Sequence, residues 1–240
     1  LNIPTNFSLL MREIIHAQEV VGTYFRLRGF IKSNLFTEEQ ARLMFEAGFR
    51  NLLVGFEAGS DRILLNINKK ATRAQNTRCV EIAHKYGLKV KALMSIGHPG
   101  ESEETIRDTK DWLLANKPDD FDATLITVYN ATPYSDFSRP HTSIPNAWTF
   151  TAPRTGDQLH FYETDFLTDA SYYKGIPGEY RSSVFTDALS CEDLVRLRDD
   201  LENEVRRKLQ IPFYPVTPST RFEASMGMTP AHIMRSSKGA

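Results

Sequence analysis

The stretch LKVKALMSIGHPGESEETIRDTKDWLLAN (Leu88–Asn116) decides the fold. Its first ten residues form an apolar run of strand length. Its last fifteen, from Ser102, carry the spacing of an amphipathic helix, and GHPGES (Gly97–Ser102) joins the two. A strand that passes through one tight loop into a helix is half of a β-α-β unit. Two readings of the loop are open. Gly97 and Gly100 either let a ligand lie against the backbone or supply the conformations of a turn that Pro99 stiffens.

The same unit recurs on both sides. Asn6–Val21 has helical spacing, TYFRLRGFI (Thr23–Ile31) alternates like a strand, and TEEQARLMFEAG (Thr37–Gly48) reads as a helix. RNLLVGFE (Arg50–Glu57) follows as a strand, TRAQNTRCVEIAHKYG (Thr72–Gly87) as a helix, and DATLITVY (Asp122–Tyr129) as the last strand. Thr37 with Gln40 and Thr72 with Gln75 make capping boxes, and Gly48 and Gly87 are the stops. Strict alternation of apolar strands with helices predicts a parallel sheet covered by helices, with ligands at the carboxyl ends of the strands. Arg28–Gly29, Glu57–Ser60, Gly97–Glu101 and Tyr129–Pro133 are expected at those ends.

Composition excludes several classes. With 41% hydrophobic and 25% charged residues the chain is that of a globular protein, and a net charge of -1 gives nucleic acid no electrostatic footing. No apolar run is long enough for a membrane span. Cys79 and Cys191 have neither metal spacing nor a disulfide framework, which fits a reducing cytoplasm. His98 lacks a partner at ligand spacing. The first residue is Leu1 rather than methionine, which predicts a chain cut from a longer one.

The texture changes after Phe137. Residues 138–240 are expected to form an irregular, aromatic-rich extension carrying one amphipathic helix at 190–209, with Ser190 and Asp193 as its cap and Leu194, Leu197, Leu201, Val205 and Leu209 as its docking stripe. Trp148, Phe150, Phe161, Tyr162, Tyr172 and Tyr173 either line a substrate pocket or make a small satellite core. His141 and His160 are expected in loops or at the surface, and the tail from Ile211 is turn-rich.

Among the loops, Glu57 stands at a strand end before the small residues Ala58, Gly59 and Ser60, where Ser60 is placed to cap a helix. A carboxylate there suits the two hydroxyls of a ribose, or else pairs with Arg28 or Arg26 on the neighbouring strand. GHPGES is not a Walker motif, because no Lys-Ser/Thr follows its second glycine.

The order of GFEAGSDRILLNINKKAT (Gly55–Thr72), VKALMSIGHPGESEETIRDTKDWL (Val90–Leu113) and TPYSD (Thr132–Asp136) resembles the radical S-adenosylmethionine (SAM) superfamily, in particular its members with a cobalamin-binding domain. The resemblance covers Phe7–Phe137. It implies an α/β fold, a partial (β/α)6 TIM-like barrel of which residues 1–137 hold strands three to six. It also implies a [4Fe–4S] cluster on a C-x-x-x-C-x-x-C loop, SAM bound to that cluster, and a 5′-deoxyadenosyl radical. Cobalamin-dependent methyl transfer, a small-molecule substrate and an electron donor such as flavodoxin or ferredoxin belong to the same implication. Carried over by position, Glu57 falls at the ribose with Ser60 among the cofactor-binding residues, Lys69 at the SAM carboxylate, and Gly97, His98, Pro99, Gly100 and Glu101 at the adenine side. Arg28 falls at a SAM- or substrate-facing strand end and Tyr129 beside adenine. The cysteine triad of the family is absent from this sequence, so its ligands are expected upstream of Leu1 and the chain by itself is expected to be inactive. YNATP (Tyr129–Pro133) also lacks the glycine usual there. A cluster-free module that binds SAM or another adenosine compound is the alternative. A barrel hydrolase or aldolase is disfavoured, since no histidines cluster at the strand ends.

Overall fold

The computed structural model describes residues 6–164 and 180–213. Four strands, β1 (Leu27–Ile31), β2 (Phe49–Glu57), β3 (Lys89–Ile96) and β4 (Asp120–Leu125), form a parallel sheet in sequential order. The helices α1 (Phe7–Val21), α2 (Glu38–Glu46), α3 (Asp61–Asn66), α4 (Arg73–Lys85) and α5 (Glu103–Asn116) precede or connect them. This is the α/β arrangement of a partial TIM-like barrel. The capping boxes at Thr37 and Thr72 form as the sequence predicts, and a third forms at Ser102 with Thr105. Gly48 and Gly87 follow their helices in left-handed conformation, φ 94° and 72°.

Alternation along the strands separates two faces. Leu52, Val54 and Phe56 of β2, Val90, Ala92, Met94 and Ile96 of β3, and Phe121, Ala123 and Leu125 of β4 enter the core shared with the helices. The intervening residues occupy the other face: Leu53 and Gly55, then Lys91, Leu93 and Ser95, then Asp120, Asp122 and Thr124, matched row by row in the strand register. That inner face is polar. Lys91 and Asp120 pair across it at 2.9 Å.

Three expectations are corrected. β1 begins at Leu27, not Thr23, so Arg28 lies near the start of its strand, opposite Asn51. β4 ends at Leu125, not Tyr129. The region after Phe137, expected to be irregular, carries the short helix α6 (Pro133–Asp136) at its threshold and then a second sheet. That sheet is antiparallel, formed by β5 (Arg139–Pro140), β6 (Ala147–Thr151), β7 (Gln158–Tyr162) and β8 (Val184–Phe185) in sequential order. Strands of two to five residues leave too little periodicity to be read locally.

Phe150, Phe161 and Val184 of this second sheet belong to the same hydrophobic core as the barrel strands, and Trp148 packs against it, so these aromatics make no separate satellite core. Tyr172 and Tyr173 lie outside the described residues. His160 is buried on β7, between Thr149 (2.9 Å) and Asp187 (3.0 Å), rather than in a loop.

The last helix, α7 (Cys191–Leu209), has the predicted cap at Ser190 and buries Leu194, Leu201 and Val205. It also buries two arginines. Arg198 Nε donates to the Ala123 carbonyl at 2.7 Å and Arg206 Nη2 to the Phe121 carbonyl at 2.8 Å, so the helix satisfies the backbone of the edge strand β4.

Candidate functional site

The site lies where β2 and β3 end. β2 carries a register irregularity between Gly55 and Glu57, and Glu57 adopts φ 67°. A left-handed residue other than glycine costs roughly 1–2 kcal/mol. The cost is tolerated where the surroundings over-determine the conformation, as happens at functional sites.

The surroundings here are specific. Lys69, from the loop after α3, reaches back over the sheet, and its Nζ lies 2.7 Å from Glu57 Oε1. Gly55 provides the space. A Cβ at that position would stand 2.6 Å from Glu57 Oε1 and 3.3 Å from Lys69 Nζ. Ser95 Oγ donates to Glu57 Oε2 at 2.8 Å and lies 2.7 Å from His98 Nε2, while His98 Nδ1 lies 3.1 Å from the Tyr134 hydroxyl. Tyr134 packs on Phe150 of the second sheet, ring centroids 4.8 Å apart. Glu57 therefore pairs with Lys69, not with Arg28 or Arg26 of the neighbouring strand.

Electrostatics sort these groups by charge. Burial pushes the Glu57 carboxyl up, but the Lys69 charge and the hydrogen bonds from Lys69 and Ser95 outweigh it and hold the group below its ordinary pKa. Glu57 is an anion. Burial drives His98 the other way, down to about 4, so its imidazole is neutral near pH 7.

The GHPGES loop behaves differently. It is buried, not open. Glu101 turns its carboxylate inward, accepting from the Gly97 N–H at 3.0 Å and from Thr105 Oγ1 at 2.6 Å, and burial raises it to about 7. The Pro99 carbonyl accepts from Asn66, and the Gly100 N–H donates to the Gln158 carbonyl of β7. Asp157, held down to about 2 chiefly by its hydrogen bonds from Arg62, lies where a Gly100 side chain would be, at 2.5 Å. Both glycines have positive φ, 98° and 79°. The turn and the chain's own second sheet account for them.

The remaining predicted residues divide. Ser60 is buried at the N-terminus of α3 but makes no side-chain cap bond. Arg28 lies about six strand residues below the Glu57 level, roughly 20 Å at ~3.3 Å per residue, because its register partner is Asn51. Tyr129 is 45% exposed beyond β4, and its carbonyl accepts from Thr132. Ser95 and Tyr134 were missed as site residues. Ser95 was visible in principle, as a polar residue in phase with Lys91 and Leu93 on the inner face.

No group of three or more His, Cys, Asp or Glu side chains among the described residues can hold a metal. Burial raises the Cys79 thiol to about 12 and the Cys191 thiol to about 11, so neither is poised as a thiolate ligand. The described residues do not fit an iron–sulfur cluster. They do fit the nucleoside end of SAM, because an anionic, part-exposed carboxylate sits over a glycine cradle at the sheet rim. Among the described residues, no helix is long and apolar enough to cross a membrane.

These features define an α/β sheet protein with an anionic, part-exposed carboxylate at the carboxyl edge of its sheet. Residues 4–113 match the radical SAM superfamily. An uncharacterized methyltransferase of Pyrococcus horikoshii is 36% identical over 101 residues, 42% of this chain and 21% of that protein. The bacteriochlorophyllide d C-12(1)-methyltransferase of Chlorobaculum tepidum is 29% identical over 97 residues, 40% of this chain and 21% of its own. The matches thus span about a fifth of the length of these relatives. The radical SAM methyltransferase TsrM of Kitasatospora setae, solved with cobalamin and a [4Fe–4S] cluster, superposes with a TM-score of 0.51 at 22% identity over 61% of this chain and 30% of that one. That likeness is one of fold.

Proposed function

We propose that this chain supplies the SAM-binding edge of a radical SAM enzyme, with cobalamin-dependent methyl transfer to a small molecule as its reaction. The observation that carries the reading is the Glu57 anion, held in a left-handed conformation by Lys69 and Ser95 at the end of β2. Each carboxylate oxygen accepts one hydrogen bond and keeps lone-pair capacity for a second acceptor role, which is what a vicinal diol requires. Lys69 adds a positive charge beside the SAM carboxylate. The buried GHPGES loop supports the rim from below. The methyltransferase names of the relatives support methyl transfer. A reducing cytoplasm and a flavodoxin- or ferredoxin-type donor follow from the same reading.

SAM, when bound to a reduced cluster, is the source of a 5′-deoxyadenosyl radical in this superfamily. The described residues hold no cluster ligands, so the work assigned to them is to bind and orient the nucleoside. The misfit of Cys79 and Cys191 favours a second reading for the chain alone, an adenosine- or SAM-binding module without radical chemistry.

Equilibrium dialysis of the purified chain against labelled SAM tests this. The expected result is saturable binding that weakens about tenfold or more in Glu57→Gln, as loss of charge-assisted hydrogen bonds requires, with no 5′-deoxyadenosine formed on addition of dithionite. Binding indifferent to Glu57→Gln would refute the ribose assignment.

A further inference from the structure

The hydrogen bonds behind Glu57 have a determined direction. Lys69 is donor-only, and Ser95 uses its single proton on Glu57 Oε2. At 2.7 Å from His98 Nε2 the Ser95 oxygen can then only accept, which places the imidazole proton on Nε2. His98 Nδ1 is left as an acceptor, and the Tyr134 hydroxyl donates to it at 3.1 Å. Every proton from Tyr134 to Glu57 therefore points toward the carboxylate. Within the chain His98 is 7% exposed, whereas the Glu57 side chain is 29% exposed and Ser95 and Tyr134 are half-buried.

We propose that Ser95, His98 and Tyr134 are positioning residues that lock the rotation of the Glu57 carboxylate and thereby set selectivity for a ribonucleoside over a deoxyribonucleoside. The inference rests on the reading of Glu57 as the ribose-binding group. Lys69 fixes one oxygen and Ser95 the other, so the carboxylate plane is held at two points. Without Ser95 it pivots about the Lys69 contact and offers a diol one good acceptor at a time. Without His98 the Ser95 hydroxyl is free to turn away. Tyr134 ties the same chain to the second sheet through Phe150, so that sheet contributes to selectivity without touching the ligand.

The test compares the dissociation constants of adenosine and 2′-deoxyadenosine in the intact 240-residue chain. The unsubstituted protein should prefer adenosine by about tenfold, one lost charge-assisted hydrogen bond. Ser95→Ala should bring the ratio close to one while 2′-deoxyadenosine binds within about threefold of its original strength, since the pocket itself is retained. Ser95→Thr, which keeps the hydroxyl, should restore the preference, and His98→Gln, which keeps a donor toward Ser95, should do better than His98→Ala. If Ser95→Ala does not fold, the two His98 variants carry the same comparison. An adenosine preference that survives in both Ser95→Ala and His98→Ala overturns the positioning role and leaves the Glu57 reading intact. An unsubstituted protein that binds neither nucleoside, or binds both equally, overturns the Glu57 reading and the positioning role with it.

Discussion

Two glycine-containing loops of similar appearance, GFEAGS (Gly55–Ser60) and GHPGES (Gly97–Ser102), end adjacent parallel strands and do different things. In the second, the polar groups point back into the protein: Glu101 onto Gly97 and Thr105, Pro99 onto Asn66, Gly100 onto Gln158. In the first, Gly59 is equally committed, donating to Thr109 and accepting from Arg73, and Glu57 accepts from Lys69 and Ser95 but is 29% exposed where Glu101 is 2% exposed. The Glu57 carboxylate stays at the rim with acceptor capacity to spare. Glycine content does not separate a ligand loop from a structural one. The exposure of the carboxylate does.

The largest effects should come from those glycines. A Cβ on Gly59 would sit 2.6 Å from Trp112 Cβ, 2.7 Å from Thr109 Cα and 2.8 Å from the Asp108 carbonyl, so Gly59→Ala must move α5. A loss of about 3 kcal/mol or more in urea unfolding is expected. Gly100→Ala meets the Asp157 side chain and a left-handed backbone, and should lose about 2 kcal/mol. Equal and small losses at both would show that neither loop is packed as described.

The pH dependence of stability separates the loops further. Folding lowers the His98 pKa from 6.5 to about 4, so this residue makes the protein less stable as pH falls from 6.5 toward 4. Folding raises Glu101 from 4.5 to about 7, so this one makes it less stable as pH rises from 4.5 toward 7. Each contributes about 3 kcal/mol across its window, and over the shared range the two nearly cancel. Glu101→Gln should unmask stability that climbs with pH between 4 and 6.5. His98→Gln should unmask stability that declines between 4.5 and 7. Urea midpoints collected across pH 4–7.5 measure both slopes, and identical profiles in the two variants would contradict the assignments.

The reach of the sequence follows the range of the interactions. The capping boxes at Thr37, Thr72 and Ser190 are local, three residues from partner to partner, and appear as read. The alternating strands and helices likewise carry their own periods. The second sheet could not be read, because its strands are short and their pairing partners distant, as with His160 opposite Phe185. At the site, Glu57 stood out by its place at a strand end, but its partner did not. Lys69 is twelve residues away and folds back across a glycine. Gly55 inside an apolar strand was the available signal, since such a glycine often marks a close approach. Tyr129 was misplaced because the end of β4 slips by four residues from the sequence reading, and Arg28 because it lies three residues before the end of β1, opposite Asn51.

The central claim is spatial, and amide chemical-shift mapping of the isotope-labelled chain during titration with S-adenosylhomocysteine tests it most directly. The account predicts perturbations at Gly55, Glu57, Ala58, Lys69 and Ser95, with Arg28 and Asn51 at the opposite end of the sheet unmoved. Shifts centred on Arg28 and Asn51, or saturation without any change around Glu57, would contradict it.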